Sequence, residues 1–533
     1  MCEGSKAREI NDKLQLILSE TKIDEILRKL RVLVSNDRSN QTIMKITKEA
    51  IKKFTKMGNH KGLVDLYGLL ILQLEHLNEN ADNVSVLIEK MQKTAEKHQY
   101  KEGLALTYSY LWYNEKLKGN SKASREAIFK AKEIIDNLKE CENYNYYFVI
   151  YSFAMDRWLE KHDTSVISLL EDCIQYYYKN NFHRSLAQTF SFLSIIYTRK
   201  HKNKRILKLG NEILANRTLF EKLPPDVEGI IYYFTGLGHM LDANLVMAES
   251  YFNEAYDILK PIYKSSIYFS NFLILHSYLA TVKGLHGKTD QAYSFIKEAE
   301  NILQSDFIKT NLDENTEKQI VHTLNLVKFY NISRLGKYSP QEHQVLINEI
   351  IENCKDLYSD FMTLSEFILN SNLDSDKLQL LLSIDNFSIN RVKHLIEFML
   401  EMQRLDTEIS QEQKALNCIS ILKSRVITSK IIFMENVYAD LLIAQQLFTL
   451  KRYAEISPLL KKYENRLKKI EVLEMRIFME AFIQVGAFKS GDLLGPALQY
   501  MAIKKCRLYG FSRLENTLLR YLQLQHKVIT RAN

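Results

Sequence analysis

Helix-breaking residues are scarce in this chain. Its 533 residues include only 6 prolines and 17 glycines, and no proline occurs before Pro224. Both residue types destabilise or interrupt helix interiors, so their scarcity over this length favours helices joined by short turns and argues against a sheet-rich fold. We therefore expect an all-α protein.

Long apolar runs and closely spaced cysteines are missing as well. No segment approaches the roughly 18 uninterrupted apolar residues of a membrane-spanning helix, and the N-terminal MCEGSKAREINDKLQ lacks an apolar signal core. The cysteines are far apart, without a CxxC pair: Cys2, Cys141, Cys173, Cys354, Cys418 and Cys506. Such usage is typical of reduced, packed thiols. We expect a cytoplasmic protein, with a nuclear location as the alternative, and no membrane partner.

The charge balance gives little information about ligands or partners. The chain has 72 basic and 64 acidic residues, a net charge of +8. Spread over the whole length, this excess does not imply nucleic acid as a ligand. We expect that the protein does not contact nucleic acid directly.

The chain does contain a small residue that returns at regular intervals. The series is Ala131, Cys173, Gly210, Ala255 and Ala299, with separations of 42, 37, 45 and 44 residues. Each member lies late in an amphipathic stretch that follows another such stretch. A small side chain lets two helices approach closely, so this spacing predicts stacked helical hairpins, each with a first and a second helix.

The two clearest hairpins, 227–261 and 272–304, share one layout. A small residue is followed 12 positions later by an alanine, then by a large apolar residue and a second alanine four and seven positions after that. These residues are Gly236, Ala248, Phe252 and Ala255 in the first hairpin, and Ala280, Ala292, Ile296 and Ala299 in the second. Side chains at this spacing share one helix face, so we expect the four second-helix alanines to be buried at helix crossings.

This layout resembles the tetratricopeptide repeat (TPR) family, whose repeats carry small residues at two points, an aromatic residue between them and a terminal proline. Pro261 follows the first hairpin one position later than that pattern requires. A simple TPR has 34 residues, and the longer units here resemble the TPR-like arrays of signalling regulators and bacterial peptide receptors. The resemblance implies a right-handed superhelical solenoid of antiparallel helix pairs.

Three regions are predicted along the chain: an N-terminal TPR-like array at 1–304, an irregular helical junction at 305–405, and a C-terminal TPR-like array at 406–533 that ends in a capping helix near 512–529. The junction is inferred from segments rich in Asn, Asp and Ser, residues that favour caps and loops.

One segment ends like a phosphate-binding loop. GLHGKT at 284–289 carries the final GKT, but the motif GxxxxGK[ST] would need its first glycine at position 282, which is valine. The segment also falls between two predicted helices instead of following a strand. The 13 histidines include no pair at metal-ligand spacing on a helix. We expect no enzyme active site, no metal site and no cofactor.

The resemblance implies a binding function. We expect a concave groove, lined by first helices, that holds a peptide or helix of another protein and serves as an interaction scaffold. Candidate contacts are Tyr113, Tyr233 and Ser277, each one position after a residue expected to pack. The alternative is a regulatory sensor, in which a ligand or peptide changes the pitch of the superhelix and so its signalling or transcriptional output.

The sharpest charge cluster is RKHKNKR at 199–205. Its basic residues are Arg199, Lys200, Lys202, Lys204 and Arg205. Such a run can contact phosphate or nucleic acid or act as a nuclear import signal. The repeat spacing places a turn between helices at this point, so we favour a solvated turn.

Overall fold

The structure is a computed structural model of the chain. It describes residues 22–36, 41–76, 81–138, 143–200, 202–216, 223–242, 244–266, 268–335, 340–359, 361–404, 409–424, 433–470, 473–489, 495–508, 514–516 and 518–519. Within these ranges the regular elements are helices, and there is no strand. The expectation of an all-α protein is therefore confirmed.

The described residues form 26 helices, one of which is a three-residue 3-10 helix at Tyr263–Ser265. The α-helices are α1 Ile23–Asn36, α2 Gln41–Lys56, α3 His60–His76, α4 Ala81–Lys97, α5 Lys101–Leu117, α6 Ser121–Asp136, α7 Tyr144–Lys161, α8 Val166–Lys179, α9 His183–Arg199, α10 Asn203–Ala215, α11 Pro225–Leu241, α12 Leu245–Leu259, α13 Phe269–Leu285, α14 Thr289–Leu303, α15 Asp306–Asn311, α16 Glu314–Leu335, α17 Pro340–Asn353, α18 Phe361–Asn370, α19 Ser375–Leu382, α20 Phe387–Gln403, α21 Gln411–Lys423, α22 Phe433–Thr449, α23 Tyr453–Ile470, α24 Leu473–Lys489 and α25 Gly495–Leu508.

Glycine ends two of the first helices in the same way. Gly119 follows α5 and Gly287 follows α13, with φ angles of 78° and 75°. In both turns the glycine N–H donates to the carbonyl three residues earlier, as in Gly119 to Lys116 at 3.1 Å. The N–H of the residue after the glycine donates to the carbonyl five residues earlier, as in Asn120 to Glu115 at 2.9 Å. This Schellman arrangement satisfies the last carbonyls and reverses the chain within three residues. The GKT segment thus lies in a helix–turn–helix, as predicted.

The recurring small residues lie where helices approach most closely. Ala131, Cys173, Ala255 and Ala299 are all 0% exposed, and Gly210 is buried. A Cβ added to Gly236 would lie 2.7 Å from Cδ1 of Phe252, which is too close for any side chain there. The four alanines expected at helix crossings, Ala248, Ala255, Ala292 and Ala299, are fully buried, so that prediction is confirmed.

Helices contact their neighbours in chain order, and first helices also contact one another. In the N-terminal part, α1 contacts α3, α3 contacts α5, and α5 contacts α7. Further along, α13 contacts α16, α16 contacts α18, and α18 contacts α20. Consecutive packing of this kind is compatible with a helical repeat protein, because each hairpin buries its apolar surface against the next.

The chain divides into two compact units. Unit 1 comprises Met1–Tyr197 with Glu212–Ile231, and unit 2 comprises Thr198–Asn211 with Tyr232–Asn533. The predicted regions 1–304, 305–405 and 406–533 remain a prediction. Within 305–405 the helices are uneven in length, with six residues in α15, 22 in α16 and eight in α19. The predicted capping helix at 512–529 lies largely outside the described residues.

Four cysteines are free and buried: Cys173, Cys354, Cys418 and Cys506. Burial raises the pKa of Cys354 to about 12 and that of Cys418 to about 11. The expectation of packed thiols is confirmed for these four, whereas Cys2 and Cys141 lie outside the described residues. Within the described ranges, no helix combines the length and the apolar character that crossing a membrane requires.

Candidate functional site

The three predicted contact residues lie in different environments. Tyr113, on α5, is 38% exposed. Tyr233, on α11, is only 3% exposed, and its ring packs against those of Phe234 and Phe252, at centroid distances of 4.7 and 6.3 Å. Ser277, on α13, is completely buried. Tyr233 and Ser277 are therefore core residues, and the expectation that they face an open groove is corrected.

The correction has a physical cause. Tyr233 and Ser277 would face solvent only if each first helix had one buried and one exposed face, because the residue after a buried one then points toward the exposed face. Helix α13 has no such face along most of its length, because from Phe272 to Leu285 only Ile274 and Tyr278 escape full burial. Helices α12, α14 and α16 all contact α13 and cover most of its surface, including polar positions such as Ser277.

The basic turn lies where the repeat spacing predicts a turn. Helix α9 ends at Arg199 and α10 begins at Asn203. Lys204 and Arg205 are exposed on the first turn of α10, and Arg199, Lys200 and Lys202 are partly exposed. A binding role for this turn stays a prediction.

Four exposed apolar residues lie on the first helices of unit 1. Tyr113 and Leu117 lie on α5, Leu159 on α7 and Ile195 on α9, with exposures of 38%, 68%, 48% and 41%. All four lie in the C-terminal half of their helix, so they occupy the same end of successive first helices. We call these four residues the first-helix row. Tyr113 is the one predicted contact that belongs to it.

Buried polar contacts hold the helices of this row in place. The indole N–H of Trp112 donates to Asp156 at 2.9 Å and joins α5 to α7. Trp112 directly precedes Tyr113, and Asp156 lies three residues before Leu159. The hydroxyl of Ser124 donates to the Trp112 carbonyl at 3.0 Å and joins α6 to α5. Tyr151 on α7 meets Phe192 on α9 edge to face, at 6.4 Å between centroids. The row is thus supported by fixed neighbours.

A second surface feature lies on a second helix. An open groove of about 650 Å³ runs along α6 and is lined by Ser121, Lys122, Arg125, Glu126, Phe129 and Lys130. Phe129 is 43% exposed, and Arg125 pairs with Glu160 of α7 at 2.5 Å. The sequence of α6 gives little local signal for a site, because Phe129 stands among charged residues.

A buried cluster of charged and polar side chains in unit 1 is centred on Asp65 of α3. Its carboxylate lies 2.9 Å from the Arg31 guanidinium of α1 and accepts hydrogen bonds from the Asn145 amide at 2.8 Å and the Tyr100 hydroxyl at 3.2 Å. Burial raises the pKa of Asp65 above its ordinary value, while Arg31 and the two hydrogen bonds oppose that effect. Burial, followed by the charge of Asp65, also raises the pKa of Tyr100. This cluster joins α1, α3 and α7.

One histidine lies within hydrogen-bond distance of a serine hydroxyl, as in a catalytic serine–histidine pair. His322 Nε2, on α16, lies 2.8 Å from the Ser359 hydroxyl, and the Ser359 backbone N–H donates to Ser388 at 2.9 Å. His322 is 0% and Ser359 2% exposed, and burial lowers the pKa of His322 to about 4. The contact fastens α16 to the start of α20 in the interior of unit 2. Among the described residues, no group of three or more His, Cys, Asp or Glu side chains could hold a metal ion.

The GKT turn carries a carboxylate at its centre. Glu249 of α12 lies 2.6 Å from Lys283, 2.6 Å from His286 and 2.9 Å from Lys288. The hydrogen bond with His286, together with the lysines, holds the pKa of Glu249 well below its usual range, although burial opposes them. Lys288 is therefore already engaged by a carboxylate.

We expect no ATP binding through Lys288 and Thr289. The turn lacks the glycine-rich backbone that cradles phosphates, and the Lys288 ammonium is already engaged by Glu249 at 2.9 Å. Calorimetry with ATP and magnesium should show no saturable heat for the protein or for Lys288→Ala. Saturable binding that Lys288→Ala abolishes would contradict this reading.

No protein-family model matches the chain, and no curated protein matches its sequence. The TPR resemblance therefore depends on the repeat spacing and on the packing of consecutive helices.

Proposed function

We propose that the protein is a TPR-like scaffold whose right-handed superhelix holds a peptide or helix of a partner protein against the first helices of unit 1. The first-helix row carries this proposal. Four exposed apolar side chains recur at the same end of three successive first helices, and exposed apolar groups of this kind are typical of interaction surfaces. On this view the protein works in the cytoplasm or nucleus without a cofactor.

The surroundings of the row suit an amphipathic partner. Lys116 lies beside Leu117, Glu160 beside Leu159, and the polar residues Gln188 and Ser191 precede Ile195 by two turns and one turn. The row is therefore bordered in sequence by charges of both signs and by neutral polar groups. An amphipathic helix with apolar residues at i, i+3, i+4 and i+7 matches such a border, because its apolar stripe is flanked by polar residues.

The test uses variants that change only exposed side chains. We expect Leu159→Ser with Ile195→Ser to weaken partner capture about tenfold, which corresponds to a combined loss of about 1.4 kcal/mol of binding free energy. The matched control is Met57→Ser with Val86→Ser, which removes two side chains of similar exposure, 50% and 49%, outside the first helices. The control should capture the partner as well as the unmodified protein.

Crosslinking mass spectrometry on the captured complex locates the site. The proposal expects crosslinks from lysines near the row, including Lys116 and Lys161. Crosslinks confined to 406–533, or equal losses in the row variant and the control, would contradict it. A small molecule that alters the protein without any protein partner would instead favour the sensor function.

A further inference from the structure

Lysines converge on one edge of unit 1. Helix α2 ends and α3 begins at this edge, and the next pair, α4 and α5, does the same beside it. The edge carries Lys56, Lys61, Lys97 and Lys101, all exposed, together with His60 and His98. We call these six residues the lysine edge.

Ring contacts show that the two turns lie side by side. The imidazoles of His60 and His98 stack with their centroids 3.7 Å apart and their planes 9° from parallel. The ammonium of Lys61 lies 5.6 Å from the centroid of the Tyr100 ring, which belongs to the second turn. Residues about 40 positions apart in sequence therefore form one continuous surface.

The four lysines have no ion-pair partner among the described residues. Other lysines on the same helices do pair, such as Lys52 with Glu49 on α2 at 2.7 Å. The carboxylates closest in sequence to the edge are Glu96 and Glu102, and Glu96 accepts a hydrogen bond from Gln92. Four ammonium groups against two carboxylates leave the edge with excess positive charge.

The local environment of His98 agrees with this excess. Burial lowers the pKa of His98, and the neighbouring His60 and Lys97 lower it further. His98 therefore contributes little to the charge of the edge at neutral pH. The imidazoles serve to hold the two turns together.

We propose that the lysine edge binds an acidic segment of a partner protein, a short run of aspartate and glutamate residues. Lysine ammonium groups are point charges on flexible stems, which suit a row of carboxylates that has no fixed geometry. Neighbouring helices pack about 10 Å apart and an extended peptide advances about 3.3 Å per residue, so about four acidic residues span the two turns.

The edge is less suited to nucleic acid. Single-stranded nucleic acid is held by basic groups together with aromatic rings whose faces are open to stack on bases. Here the two imidazoles already stack on each other. The Tyr100 hydroxyl is engaged with Asp65, at 3.2 Å. An acidic peptide needs only the ammonium groups.

The experiment titrates the full-length protein with a fluorescent hexaglutamate peptide at 50 mM and 300 mM salt. We expect saturable binding that weakens about tenfold at the higher salt, since exposed charges are screened. Lys61→Gln with Lys97→Gln should weaken binding about tenfold at low salt. The control, Lys90→Gln with Lys122→Gln, removes the same charge from exposed lysines elsewhere on α4 and α6.

Three outcomes would overturn the proposal. These are an absence of saturable binding at 50 mM salt, equal losses in the edge variant and the control, and tighter binding of a six-nucleotide single-stranded DNA that Lys61→Gln with Lys97→Gln abolishes. The inference does not depend on the first-helix row. Leu159→Ser with Ile195→Ser should bind hexaglutamate like the unmodified protein, so the two proposals fail separately.

Discussion

Replacing Arg31 with methionine should destabilise unit 1 by about 3–5 kcal/mol. The substitution keeps most of the side chain's volume but removes the counter-charge of Asp65, whose side chain is 8% exposed. An unpaired buried carboxylate is costly even when the hydrogen bonds from Asn145 and Tyr100 persist. Denaturant titration followed by tryptophan fluorescence is the measurement. Both tryptophans, Trp112 and Trp158, are buried in unit 1 and report on its unfolding.

A matched control comes from the same helix. Arg28 of α1 pairs with Glu25 at 2.7 Å, but its side chain is 64% exposed. Arg28→Met should therefore cost less than about 1 kcal/mol, since exposed ion pairs contribute little. If Arg31→Met costs no more than Arg28→Met, Asp65 is sufficiently stabilised by its hydrogen bonds alone, and the ion pair is not what holds α1.

The loss in Arg31→Met should depend on pH in a defined direction. Without Arg31, the folded-state pKa of Asp65 rises further above its unfolded value, because burial already raises it. A carboxyl group with a raised folded pKa favours folding when protonated, so stability increases as pH falls. The difference in unfolding free energy between the two proteins should be smaller at pH 5 than at pH 8.

Replacing Phe252 with alanine should destabilise the packing of α12 against α11 by about 3–5 kcal/mol. The phenylalanine is 0% exposed and stacks on Tyr278 with centroids 5.6 Å apart. Its ring fills the space that Gly236 leaves open, so truncation creates a cavity between α11 and α12. The two helices cannot close this cavity without losing packing contacts elsewhere. Hydrogen exchange of α11 and α12 measures the effect, because unit 2 contains no tryptophan.

The control for Phe252→Ala is Tyr293→Ala on α14. Tyr293 is 36% exposed, and its ring contacts Lys297 at 5.4 Å. Its loss should cost about 1 kcal/mol or less, since little apolar surface returns to water. Equal protection of α11 and α12 in Phe252→Ala and Tyr293→Ala would show that the hairpin packing assigned around Gly236 is wrong.

Spacing within a helix predicted burial correctly because it is a local property. The four-and-seven pattern around Phe252 and Ile296 places Ala255 and Ala299 at crossings, and both are fully buried. The same reasoning failed for Tyr233 and Ser277, because how many sides of a helix are covered depends on neighbours that the helix's own pattern does not contain.

Sites that join distant segments left no local signal. Asp65 meets Asn145 and Arg31 across separations of 80 and 34 residues, and no pattern in any one helix pairs them. The contiguous run at 199–205 is easily seen in the sequence, whereas the lysine edge is assembled from two turns that the fold brings together. A search of the sequence for charge clusters therefore finds contiguous runs and misses charged surfaces that the fold assembles from separate segments.

The Asp65 cluster also constrains how the chain is made. Most helix contacts join neighbours in sequence, so hairpins can pack as they leave the ribosome, because local contacts need little loop closure. Arg31 and Asn145 are 114 residues apart. At about 5–20 residues per second, Asn145 follows Arg31 by roughly 6–23 seconds of synthesis. Until then α1 has only part of its final anchorage, and a nascent chain stalled before α7 should be cleaved by protease at α1 more readily than the finished protein.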